Sequence, residues 1–176
     1  MKILTLIFCV FMSTNSIMLF DFSNNVDIKD WRIVNVDVMG GKSTSDFMIN
    51  KDGHGVFKGV ISLKNNGGFS SVRYRFKNTE VKDLTKIVIR LRGDGKTYQF
   101  RVKPNRNTYF SYIYNFDTNN NWQEIEIPLK DMYPSFRGRR LKRGNFSSEE
   151  LNEIAFLIGN KKEENFELII DKIELK

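Results

Sequence analysis

The sequence holds one cysteine and one histidine in 176 residues. Cys9 lies inside a segment that reads as a leader, so a processed chain would carry no thiol. That excludes disulfides, thiolate catalysis and Cys-ligated metals from the mature domain. His54 sits between Gly53 and Gly55 in what reads as an exposed turn. A Ser-His-Asp triad or a His-rich zinc site would have to be built around this single imidazole, and no spacing near it supplies the partners. The plain reading of His54 is a polar turn residue, with a general base as the alternative. The expectation is a chain without catalytic residues, metal or cofactor.

Long apolar runs are also lacking. The stretch from Ile3 to Met12, broken by Thr5, follows Lys2 and precedes Ser13-Thr14-Asn15-Ser16. It falls short of the ~20 residues that cross a bilayer as a helix. Its order of charge, apolar run and small polar cluster is that of a signal peptide, with Thr14-Asn15-Ser16 standing as a weak cleavage site where Ala-x-Ala is usual. Residues 1–16 therefore read as a leader, and the protein as exported, periplasmic or envelope-associated, with no transmembrane span in the mature domain. The alternatives are a retained anchor or a buried first element, and a cytoplasmic or inner-membrane-associated protein. Phe8 occupies the place before Cys9 where lipid attachment wants a small residue. No repeat, low-complexity linker or βαβ rhythm marks a second domain, so residues 17–176 are read as one.

What is present suits a single core: 40% hydrophobic, 13% aromatic and 28% charged residues. From Val56 onward apolar and polar residues alternate, as a half-buried strand requires. Val72, Tyr74 and Phe76 alternate with Ser71, Arg73 and Arg75. Ile87, Ile89 and Leu91 alternate with Arg90 and Arg92, and Tyr98, Phe100 and Val102 with Gln99, Arg101 and Lys103. Further strands are expected in 57–63, 110–116, 122–127, 154–158 and 166–175. Turn signals at Asp52-Gly53, Asn65-Asn66-Gly67-Gly68, Gly93-Asp94-Gly95 and Asn119-Asn120-Asn121 separate them. The class is all-β, a sandwich or barrel. One short helix is expected at Ser147, where Glu150 three residues on has capping-box spacing.

Three features invite a functional reading. Gly93-Asp94-Gly95-Lys96 resembles a phosphate loop only superficially, because it lacks both standard glycine patterns and a strand follows it; it reads as a hairpin turn, with Asp94 turn-forming or facing a ligand. The run from Arg137 to Arg143 contributes Arg137, Arg139, Arg140, Lys142 and Arg143 with no acid, in a chain of formal net charge +7. It is either a solvated loop or a docking patch for an acidic protein surface, an anionic glycan or membrane headgroups. Nucleic acid is not expected, since the charge excess is moderate and export would separate the two. Finally, among abundant aromatics, Trp31, Trp122, Tyr112 and Tyr114 are either core or platforms for a sugar ring.

Seven segments, in order, resemble the complex I intermediate-associated protein 30 family: Trp31-Arg32-Ile33-Val34-Asn35; Val38-Met39-Gly40-Gly41-Lys42-Ser43; Asn65 through Arg73; Gly93 through Arg101; Trp122 to Ile127-Pro128; Pro134-Ser135-Phe136-Arg137-Gly138-Arg139; and Ile154 to Gly159. One departure is that the family's acid immediately after the Asn35 position is replaced by Val36, with Asp37 next. In an extended segment this turns the charge to the other face. The resemblance implies a galactose-binding-like jelly roll of two antiparallel sheets. It also implies a role like that of mitochondrial relatives, which hold intermediates during respiratory complex I assembly.

Two functions from different classes follow. The first is a non-catalytic assembly or chaperone-like factor with a protein partner, either a respiratory complex intermediate or an envelope protein, docked through the Arg137–Arg143 patch. The second is a carbohydrate-binding module in which Arg73, Asp94 and Trp122 supply donor, acceptor and stacking face. The leader conflicts with complex I itself as client, because the mitochondrial matrix corresponds to the bacterial cytoplasm.

Overall fold

The computed structural model describes residues 15–23, 26–35 and 42–176. Most of the leader with Cys9, the Val36 and Asp37 departure and the Val38 to Gly41 motif lie outside the described residues.

Two antiparallel sheets face each other. The six-stranded sheet runs in the order β3 (Thr44–Ile49), β4 (Gly55–Ile61), β13 (Glu164–Leu175), β6 (Lys86–Arg92), β9 (Trp122–Pro128), with β1 (Ile17–Asp21) beside the second half of β13. The seven-stranded sheet runs β11 (Arg139–Arg140), β10 (Tyr133–Phe136), β8 (Ser111–Asp117), β7 (Thr97–Lys103), β12 (Glu150–Ile158), β5 (Ser70–Glu80), β2 (Trp31–Asn35).

Alternation decides what lies between them. Val72, Tyr98, Phe100, Ile154 and Phe156 from one sheet meet Phe57, Ile87, Ile89, Leu91, Leu168 and Ile170 from the other, all with relative exposure of 0%. Each such side chain contributes roughly 1.5–3 kcal/mol when removed from water. At the β1–β2 end the core becomes aromatic. Trp31 stacks on Tyr74 at 5.2 Å between ring centroids and also contacts Phe20, Phe22 and Phe47.

The register of β13 against β6 shifts between Ile170 and Lys172. Asp171 is the extra residue of this bulge, and the shift lets Ile170 and Ile173, three apart in sequence, both reach the core. A second irregularity separates the pairs Leu151–Thr79 and Glu153–Arg75. Asn152 Nδ2 closes that gap by donating to the Phe76 carbonyl at 2.6 Å. Gly59 is required where β3 crosses β4, since a Cβ there would sit 2.1 Å from the Thr44 carbonyl oxygen.

The helical turn expected at Ser147 is absent. Extended chain runs straight into β12 at Glu150, and the described helical turns are 3-10 turns at Lys64–Asn66 and Leu129–Asp131. Leu151 explains the difference, because its burial at 0% exposure in strand phase outweighs a local capping pattern. Among the described residues no helix is long and apolar enough to cross a membrane.

A cationic face on the seven-stranded sheet

Because inner and outer residues alternate, the outer face of the seven-stranded sheet follows from its register. One cross-strand row reads Arg32 on β2, Arg73 on β5, Ala155 on β12, Arg101 on β7, Ile113 on β8 and Tyr133 on β10. The next row places Arg75 opposite Glu153 and Glu153 opposite Lys103. Like charges directly opposite one another cost stability, yet Arg32 and Arg73 are paired, and Arg73 and Arg101 flank the small Ala155.

The partners available to these cations are few. Glu153, buried, accepts from Arg75 Nε at 2.6 Å. Arg101 is held along its own strand, donating from Nε and Nη2 to Gln99 Oε1 at 3.1 and 2.7 Å. Lys103 Nζ donates to the Thr108 carbonyl at 3.1 Å. The Nε of Arg73 is buried without a hydrogen-bond partner. Burial first, and Arg73 second, push the pKa of Arg101 below its ordinary value. Burial likewise pulls Lys103 down; Glu153 opposes this, while Arg73, Arg75 and Arg101 add to it.

The basic run borders this face. Arg137 and Gly138 form the two-residue turn joining β10 to β11, with φ of 49° and 76°, the positive pair that a type I′ hairpin demands. Arg140 pairs with Ser135 and lies over the Tyr133 ring at 4.7 Å. Arg137 lies 5.3 Å from the centroid of Phe136, and Arg143 5.4 Å from that of Phe110. Arg139 and Lys142 are exposed in the same segment. A groove of about 230 Å³ is lined by Arg73, Arg101, Lys103 and Glu153 from the face and by Tyr109, Phe136 and Arg137 from this border. Arg73 thus shares a groove with the docking candidate Arg137.

Asp94 and Trp122 lie elsewhere. The Gly93-Asp94-Gly95 segment is not a hairpin turn, because β6 and β7 belong to different sheets and the segment carries the chain from one to the other. Period-two signals on both sides of a turn do not reveal whether the strands pair. Asp94 accepts from the Tyr98 hydroxyl at 2.9 Å, from Lys96 Nζ at 2.6 Å and from the Glu167 backbone N–H at 3.0 Å, and so ties β7 to β13 across the sandwich. Trp122, 37% exposed, is on β9 of the six-stranded sheet, with Arg90, Arg92 and His54 around its ring. His54 Nε2 lies 3.8 Å from Asp171. Trp31 is buried, and Tyr112 and Tyr114 pack against the core. The exposed aromatics beside the cationic face are Tyr109 and Phe136, edge to face at 5.3 Å.

The buried Tyr98 hydroxyl has a consequence for alkaline stability. Burial, and then Asp94, raises its pKa far above the ordinary value of 10.0. Above pH 10 the unfolded chain loses this proton while the folded one keeps it, so stability should fall as pH rises, with a limiting slope of about 1.4 kcal/mol per pH unit. Denaturant melts at pH 9 to about 11.5 check this. Tyr98→Phe should flatten the slope by that amount, and an unchanged slope would contradict it.

The two facing antiparallel sheets define a β-sandwich of the galactose-binding-like jelly-roll class, with the cationic face on its seven-stranded side. The chain belongs to the complex I intermediate-associated protein 30 family, whose match covers residues 20–170. Among solved structures it is similar to the family 11 carbohydrate-binding module of a cellulosomal cellulase of Clostridium thermocellum, with a TM-score of 0.70 and 17% identity over 93% of this chain and 95% of that one. The same kind of module in complex with a β-1,3-1,4-mixed-linked tetrasaccharide gives 0.69 and 18% over 91% and 94%. An agarase gives 0.60 and 15% over 93% of this chain but 25% of its own length.

Proposed function

We propose that this protein is a non-catalytic binding module of the assembly-factor kind, which docks an acidic surface of a protein partner on the outer face of its seven-stranded sheet. The observation that carries this reading is the gathering of Arg32, Arg73, Arg75, Arg101, Lys103, Arg137 and Arg140 on and beside one face, against the buried Glu153 within it and Asp30 at the Arg32 end. Family membership supports a protein as the occupant. Arginine and tyrosine are also the residues on which protein interfaces concentrate their binding energy. The partner belongs to the cell envelope if residues 1–16 are removed on export.

The test is a native-cell complex followed by gel filtration. The expected result is a stoichiometric complex that dissociates between about 0.01 and 1 M salt, as the Debye length falls from ~30 to ~3 Å. It should be absent when Arg139, Arg140 and Arg143 are all changed to Glu. A salt-insensitive complex untouched by that triple change would remove the patch from the reading. An N-terminal mass starting near Ile17 in an envelope fraction would support the compartment, and an intact Met1 in the cytoplasm would overturn it.

A second reading, a carbohydrate-binding module, is favoured by the exposed pair Tyr109 and Phe136, which offers ring faces beside the groove, and by what the structural neighbours bind. Calorimetric titration with neutral glycans, including the mixed-linked tetrasaccharide, separates the two readings: saturable heat supports the second and argues against the first.

A further inference from the structure

Resting on the docking reading, we propose that Arg73 and Arg101, reaching from either side of Ala155, form a subsite that clasps one carboxylate of an extended acidic segment of the partner protein.

The register sets the geometry. Ala155 is paired with Arg73 on one side and with Arg101 on the other, so the two arginines stand two strand spacings apart, roughly 10 Å between backbones. Both side chains leave the sheet on the same face, and the methyl group between them leaves a recess that a longer residue would fill. The recess belongs to the groove that also holds Ser71, Leu157 and Ser135. A guanidinium and a carboxylate match as two parallel N–H···O bonds, so two arginines over one recess suit a carboxylate better than a neutral group.

The protein's own acid does not fill this role. Glu153 is one row away and already accepts from Arg75 Nε at 2.6 Å. Gln99 holds Arg101 through Nε and Nη2 and so orients its guanidinium, with Nη1 outside these two bonds. Arg73 keeps a buried Nε with no acceptor. Two adjacent cations, one with an unmet donor and neither facing an acid in its own row, are an arrangement that suits an anionic group. Arg32, paired with Arg73 in the same row, continues the track toward β2 and, beside the protein's own Asp30 in that groove, offers a place for a second carboxylate. An extended acidic peptide laid across the strands meets both.

The probes are a terminally blocked octaglutamate peptide, a trigalacturonate and a neutral glucan, titrated into the full chain. Arginine Nε–Hε resonances are followed by NMR alongside calorimetry. Octaglutamate should bind and shift the Arg73 Nε resonance. Arg73→Gln and Arg101→Gln should each weaken it about tenfold, as the loss of a charge-assisted bond implies. Arg101→Lys, which keeps the charge but not the fork, should recover only part. Empty Arg101→Gln should melt above the parent, because a crowded cation has been removed. If both glutamine variants bind within about twofold of the parent while the Arg139, Arg140 and Arg143 reversal still weakens binding, the subsite is wrong and the docking face stands. If trigalacturonate binds with the same arginine dependence and octaglutamate does not, the protein occupant is wrong and the docking reading falls with it. If neither acidic probe binds, both fall.

Discussion

Trp31→Ala should lower the unfolding free energy by about 3–5 kcal/mol, the range for deleting a large buried ring. The indole is 6% exposed and meets Tyr74, Phe20, Phe22, Phe47 and Phe156. Removing it opens a cavity walled by rigid rings, which have little freedom to collapse into the space. It also unties β2 from β1 and β3, so the loss falls on the contact between the sheets at that end. Trp31→Phe should cost less than half as much, because a ring still stacks on Tyr74. The indole Nε1 has no hydrogen bond to lose. Urea melts followed by circular dichroism measure both variants, and a loss from Trp31→Ala of under about 1 kcal/mol would mean that the cluster does not bind the sheets together.

Asp94→Ala should cost about 1–3 kcal/mol, since it strands the buried Tyr98 hydroxyl and also removes the tie to the solvent-exposed Glu167 N–H. The relevant contrast is with a ligand-reading role, in which the variant would fold with normal stability and lose only binding. Tyr98→Phe alone should cost about 1 kcal/mol, and the double variant less than the sum of the two singles, because the second change removes the group that the first left unpaired. Additive losses in that cycle would show that the two residues act separately. Gly93 has no room for a side chain against Thr118, whose hydroxyl accepts from the backbone N–H groups of Gly95 and Lys96, so the whole crossing is pinned at several points.

The alternation along β5, β6, β7 and β9 makes these strands readable without any structure, because over most of their length apolar inward residues alternate with polar outward ones. The class of fold follows from that, and the family resemblance supplies the jelly roll. β1 and β3 escape a period-two search. Thr44, Ser45 and Asp46 open β3 with polar residues on both faces, and β1 is five residues with a bulge in its pairing. The type I′ turn at Arg137-Gly138 is likewise hidden, since an arginine at positive φ is not a common turn signal. The candidate site was legible only in pieces. Arg73, Arg75, Arg101 and Lys103 stand out as the polar phase of two strands. That they share one face with a neutral alanine between them depends on β12 lying between β5 and β7, and β12 comes some fifty residues later than β7 in the chain. Pairing order is a property of distant segments choosing each other, and local periodicity carries no record of it. Asp94 illustrates the converse case: its turn chemistry is visible, while its partner Glu167 is seventy-three positions away.

β13 is the last strand of the sequence and a central strand of the six-stranded sheet, flanked by β4 and β1 on one side and β6 on the other. The β3–β4 pair and the β6–β9 pair can each form without it, but no hydrogen bond of the sheet joins these two halves until β13 lies between them. Phe57 stands on one half and Ile87, Ile89 and Leu91 on the other, so this layer of the core is continuous only once β13 is in place. Closure of the six-stranded sheet is therefore a non-local step that needs residues 164–175 to meet strands some seventy to more than a hundred positions earlier, and pairings of such separation are slow to form.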